Sequence, residues 1–255
     1  MNRFLLLFAL CLWPVAATAA LTPAALNSAG VSLPANAVLP LNLVANDLSG
    51  QPRSVASAFA GRPGFAIFAD YTCKTLCGPA LVLLTAGLAQ SGLTPGSWRL
   101  VVIGLDPKDS AADARRMLLA QVPQNLRAET VFLLPDATTV AAATKALGFH
   151  YVYDKSVDQF AHPEVAYAIA ADGRVLRVLS PLALTASDLG AALSGPPQAP
   201  ESFYGKFRVL CYRFGLLTGI YDVPVQIALK LAAILTLALM ALGLVILIRS
   251  KRSWT

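Results

Sequence analysis

Hydrophobic residues are continuous at the two ends of the chain and periodic between them. Arg3 is followed by an apolar run from Phe4 to Val15, then by Ala16-Ala17-Thr18-Ala19. A charged start, an apolar centre and small residues at a cleavage point predict a secretory signal over 1–19, cut near Ala19 or Ala20. Towards the other end, Leu231 to Ile248 carries no charge and no proline, and Ile227 extends it beyond Lys230. About 20 apolar residues cross a bilayer, so a transmembrane helix is expected over 227–248. Arg249, Lys251 and Arg252 follow at once. Positive residues stay on the cytoplasmic side, which makes 249–255 a short cytoplasmic tail. The expected topology is a periplasmic body held to a bacterial-type inner membrane by a single C-terminal pass.

Between these ends the pattern is that of an α/β domain. Residues 20–36 are rich in Ala, Pro, Ser and Asn and read as a loose lead-in, and the domain is expected over 37–194. Leu39 to Pro52 alternates in part and turns at Ser49-Gly50, which suits a strand or hairpin. Phe65–Phe68 is a short buried strand, and Ala80–Leu88 is long enough for a helix. Trp98–Leu105 is the clearest buried strand; Asp106-Pro107 breaks it, and Ser110 with Asp113 forms a capping box for a helix to about Gln121. Val131–Leu134 predicts a strand and Thr138–Leu147 a helix ended by Gly148. Val165–Ala170 and Val175–Leu179 form a hairpin about Asp172-Gly173, and Thr185–Leu193 closes as a helix. Strands alternating with helices, then a hairpin and a helix, imply a mixed sheet flanked by helices. Residues 195–226 remain as a juxtamembrane linker.

Composition sharpens the picture in two ways. The 255 residues are 56% hydrophobic and only 13% charged, too apolar for an ordinary soluble domain. The net charge of +6 is partly the tail and the signal start, and no basic stripe with interleaved aromatics suggests nucleic acid. Of four cysteines, Cys11 falls in the signal, leaving Cys73, Cys77 and Cys211. Three cysteines in so large a domain are not a disulfide framework; they point to chemistry. Cys211 reads first as an inert thiol near the membrane.

Cys73 and Cys77 stand between a strand and a helix, in Asp70-Tyr-Thr-Cys-Lys-Thr-Leu-Cys-Gly-Pro79. A helix N-terminus favours thiolate, the form that attacks disulfides and binds soft metals. If the helix starts early, i and i+4 put both sulfurs on one face, suited to a disulfide or to one ion. Two thiolates suit Cu(I), whereas a closed all-cysteine zinc site needs four ligands that one chain does not supply. Imidazole is a good third ligand for copper. His150, between Phe149 and Tyr151, reads as packed at the end of its helix. His162, just before a strand, is the candidate ligand, with a hydrogen-bonded turn residue as the alternative. Asp106 and Asp109 read first as turn and cap residues, and second as a docking point for a partner.

Taken together, Cys73-Lys-Thr-Leu-Cys77, Asp106-Pro-Lys-Asp-Ser110 and His162 with Tyr167-Ala-Ile169 and Asp172-Gly173 resemble, in order and spacing, the Sco/SenC family of copper-binding proteins. The resemblance covers residues 37 to about 193. It implies a thioredoxin-like fold and a copper site of Cys73, Cys77 and His162. It implies the partners too: the copper-bearing subunit of cytochrome c oxidase and a thiol reductant. Gly78 stands where the family usually has proline, and Ala161 precedes the histidine, with Asp158 four before it. The expected function is a membrane-tethered copper chaperone. The alternative is a thiol–disulfide oxidoreductase, which uses the same thiols and needs no histidine. A peroxidase-like enzyme and a pure assembly scaffold are the remaining readings.

Overall fold

The computed structural model describes residues 21, 23–156, 158–180, 185–194, 228–241 and 243. The expected signal (1–19), the linker with Cys211 (195–226) and the tail (249–255) lie outside the described residues. The chain divides into two units, Met1–Tyr212 and Arg213–Thr255.

The first unit opens with α1 (Pro23–Ser28), β1 (Gly30–Val31), the hairpin β2 (Val44–Asn46) and β3 (Pro52–Ser54), and α2 (Val55–Phe59). Next come β4 (Gly64–Ala69), α3 (Cys77–Gln90), β5 (Arg99–Gly104), α4 (Ala111–Gln121), β6 (Thr130–Leu133) and α5 (Ala137–Ala146). The short strands β7 (Phe149–His150), β8 (Val152–Asp154) and β9 (Gln159–Ala161) precede the hairpin β10 (Ala166–Ile169) and β11 (Val175–Leu179), and α6 (Ala186–Ala192). The central sheet has the order β11-β10-β4-β5-β6. Strands β4, β5 and β6 are parallel, and β10 runs antiparallel to both β4 and β11. This mixed sheet between helices fits a thioredoxin-like fold.

The period of two along the strands builds both halves of the core. Ala66 and Phe68 of β4, Val101 and Ile103 of β5, and Tyr167 and Ile169 of β10 face α2 and α5. Phe65, Ile67, Leu100, Val102, Ala166 and Ala168 face α3, α4 and α6 through Leu81, Leu84, Leu88, Met117 and Leu189. Strands buried on both faces read as continuous apolar runs, as Phe65–Phe68 and Trp98–Leu105 do.

Locally encoded features stand where the sequence puts them. Ser110 and Asp113 form the capping box of α4, Thr185 and Asp188 that of α6, and Gly173 turns the β10–β11 hairpin at φ +90°. Three features differ from the sequence reading. The lead-in supplies α1 and β1, because burial of Leu26 and Val31 and pairing of Gly30–Val31 with β7 tie it down. His150 is exposed on β7 rather than packed at a helix end, since β7 pairs with β1 and turns Phe149 inward in its place. The 152–161 segment forms an antiparallel hairpin.

In the second unit, residues 228–241 are helical, and Leu231, Ile234, Leu235, Leu237, Leu239 and Met240 are all exposed. Among the described residues no helix is long and apolar enough to cross a membrane; the remainder of the expected span at 227–248, apart from Gly243, lies outside them.

Candidate metal centre

The site forms at the carboxyl end of β4, where open α/β sheets place ligands. Asp70 follows β4 and stops it. Its Oδ1 accepts from the Thr72 N–H and Oγ1, both at 2.9 Å, and its carbonyl accepts from the Cys73 N–H at 3.1 Å. These bonds fold residues 70–73 into a turn, so α3 begins only at Cys77. The i, i+4 arrangement on one helix face, which an earlier helix start would have given, is therefore not formed. Cys73 sits on the turn, half-buried with its Sγ 3.3 Å from Thr75 Oγ1. Cys77 sits on the helix, 2% exposed. Both are thiols in this structure.

His162 reaches the same place by register. Ala166 of β10 lies opposite Ile67 of β4. Glu164 and His162 lie on the segment that leads into β10, two and four residues before its first residue, Ala166. His162 Nε2 lies 3.5 Å from Cys77 Sγ, and the imidazole is 1% exposed. Its Nδ1 is 3.2 Å from the Pro163 carbonyl oxygen. A carbonyl only accepts, so this contact assigns the proton to Nδ1 and turns the Nε2 lone pair towards the thiol. Phe149 flanks the ring, with centroids 5.8 Å apart.

Glu164 is the residue that sequence reasoning missed. It is 2% exposed, and its Oε1 lies 3.8 Å from His162 Nε2. Cys77, His162 and Glu164 each offer a ligand atom within 4.8 Å of the others. The structure thus brings Cys77 and His162 together, adds Glu164, and leaves Cys73 outside that group.

The D-P-K-D segment holds the loop in position. Asp106 makes the expected turn, its Oδ1 accepting from the Lys108 N–H at 2.9 Å. Asp109 does more than cap: its Oδ2 accepts the Tyr71 N–H at 2.7 Å, across 38 residues. The Tyr71 hydroxyl is anchored at the Leu133 carbonyl, 2.7 Å away. Lys108 donates to Asp158 at 2.5 Å and to Tyr153 at 2.9 Å, linking this turn to the β8–β9 hairpin that leads to His162. Asp158, noted in the sequence for its place before the histidine, serves this clasp. Lys108 is 60% exposed, so the clasp orients more than it stabilises.

The acids here carry an electrostatic cost. Burial, aided by the charges of Asp70 and Asp106, pushes Asp109 from 3.8 up to about 7. Burial raises Asp70 too, with the Cys73 sulfur adding and the Thr72 bonds opposing. A folded pKa above the unfolded one means that the folded state binds more protons, so stability falls as pH rises from about 4 to 7. Asp109→Asn keeps an acceptor for Tyr71 and removes this cost. It is expected to gain about 1–2 kcal/mol at pH 8 after allowance for solvent screening, and nothing at pH 4. Denaturant titrations at both pH values check this; an equal effect at both would contradict it.

Among the solved structures that share this fold, three illustrate the likeness. A SCO1/SenC family lipoprotein from Bacillus anthracis is 18% identical, covers 64% of this chain and 97% of its own, and gives a TM-score of 0.53. BsSco, a member of the Sco family of cytochrome c oxidase assembly proteins, is 20% identical over 64% and 98%, with a TM-score of 0.51. Arabidopsis thaliana ScoI with copper bound is 14% identical over 59% and 92%, with a TM-score of 0.50. At these identities the likeness is one of fold. Neither the protein-family models nor the curated sequences contain a match to the chain.

Proposed function

We propose that this protein is a copper chaperone of the Sco/SenC type, with copper as its cargo. The observation that carries the reading is the buried contact of Cys77 Sγ with His162 Nε2 at 3.5 Å. Residues 85 apart in sequence converge there on a soft and a borderline donor, both turned to one point. Cys73, one short turn away, supplies the second thiolate when its loop closes on the ion. The fold is shared with a Sco protein that holds copper and with one from an oxidase assembly family, which supports copper as the metal and cytochrome c oxidase as the partner; on this reading Cys73, Cys77 and His162 are the ligands and the copper-bearing subunit is the recipient. A disulfide offers no thiolate, so loading requires a thiol reductant to keep the pair reduced. The apolar segment 227–248 holds the domain beside its membrane-bound partner, with the main domain periplasmic and the tail cytoplasmic.

The test is copper stoichiometry of the reduced full chain in detergent, wild type beside His162→Ala. The expected result is one retained Cu(I) per wild-type chain and clear loss from the variant. No retention by the wild type would overturn the reading. The second reading, a thiol–disulfide oxidoreductase, is favoured by the unequal depth of the two thiols. Cys73 would attack and Cys77 would resolve, and activity would survive His162→Ala.

A further inference from the structure

We propose that Glu164 is itself a metal ligand, the oxygen donor that makes this centre competent for a divalent ion. The inference extends the copper reading and shares its Cys77 and His162. Two soft thiolates and an imidazole suit Cu(I), whereas a carboxylate is a hard, anionic donor that Cu(I) gains little from. With Glu164 the donor set becomes two sulfurs, one nitrogen and one oxygen. That is a four-ligand set of the kind borderline divalent cations accept.

The geometry fits. Donors about 2.0–2.3 Å from one tetrahedral ion stand about 3.3–3.8 Å apart. The Cys77 Sγ–His162 Nε2 separation is 3.5 Å and the His162 Nε2–Glu164 Oε1 separation is 3.8 Å. The three donors already outline one face of a coordination polyhedron, all within 4.8 Å of one another. Burial agrees: Glu164 is 2% exposed, and its carboxylate lies inside the protein beside the buried sulfur and imidazole. Glu164 and His162 stand two residues apart on the buried segment that runs into β10. Charge gives the functional sense. Each added anionic donor stabilises a divalent ion more than a monovalent one, so Glu164 shifts the centre towards the higher oxidation state of its cargo.

The experiment uses the reduced full chain in detergent, wild type beside Glu164→Gln. Co(II) is the spectroscopic divalent probe, and Cu(I) is presented by a competing chelator. Wild type is expected to give the intense visible ligand-field bands of four-coordinate Co(II). Glu164→Gln is expected to weaken Co(II) binding by at least about 10-fold and to change those bands, while Cu(I) affinity moves by less than about 3-fold. Retained Cu(I) binding also shows that the variant is folded. Unchanged Co(II) bands and affinity in Glu164→Gln would overturn the inference and leave the copper reading standing. Absence of Cu(I) binding in wild type, with Glu164-dependent Co(II) binding, would overturn the copper reading and sustain a divalent site. Absence of both ions from wild type would overturn both.

Discussion

Cys77→Ser is expected to abolish copper retention by the reduced protein while leaving the fold in place. Cys77 is the first residue of α3 and the donor nearest His162. Serine fills nearly the same volume, so the helix start and the packing of Leu81 and Leu84 behind it persist. A hydroxyl, however, is neither ionised near neutrality nor soft, so a soft thiolate donor for Cu(I) would be lost. Loss of groups that merely support a metal ligand costs about 10–100-fold in affinity, and loss of a ligand costs more. Metal content after desalting, with circular dichroism as the fold control, decides the matter. A Cys77→Ser protein that keeps one copper per chain would remove Cys77 from the site.

The second large effect is on stability, and it reaches the site indirectly. Phe68 lies in the middle of the sheet, against Phe149 at 4.6 Å and Tyr167 at 6.4 Å between ring centroids. Phe149 in turn flanks His162. Phe68→Ala opens a cavity under both neighbours and is expected to cost about 3–5 kcal/mol. It also releases Phe149 from its seat and so loosens the imidazole, and copper affinity should fall even in cold, fully folded protein. Thermal unfolding and copper competition together test this. A variant that is destabilised but binds copper as tightly as wild type would show that the aromatic stack does not position His162.

These expectations rest on parts of the molecule that differ in how openly the sequence states them. Strand β5 is visible in Trp98–Leu105 because it is buried on both faces. The capping box at Ser110 and the turn at Asp172-Gly173 are visible because their partners are within a few residues. Strands β1, β7, β8 and β9 are two or three residues long, too short for a period to show, and exist through pairing at a distance. The site divides the same way. Both cysteines and His162 announce their chemistry by residue type. What separates Cys73 from Cys77 is where α3 begins, and that is fixed partly by Asp70 and partly by Asp109, 38 residues from the Tyr71 N–H it holds. Glu164 was hidden for a related reason. An acid beside a proline reads as surface, and only the closure of β10 on β4 encloses it.

The unequal depths of the two thiols impose a direction in time on any transfer. On the proposed chaperone reading, an approaching ligand from another protein would meet Cys73 first, because Cys73 is half-buried whereas Cys77 and His162 are buried. Copper would then change hands by stepwise substitution that begins at the half-buried Cys73, with the deeper Cys77 and His162 the last to yield.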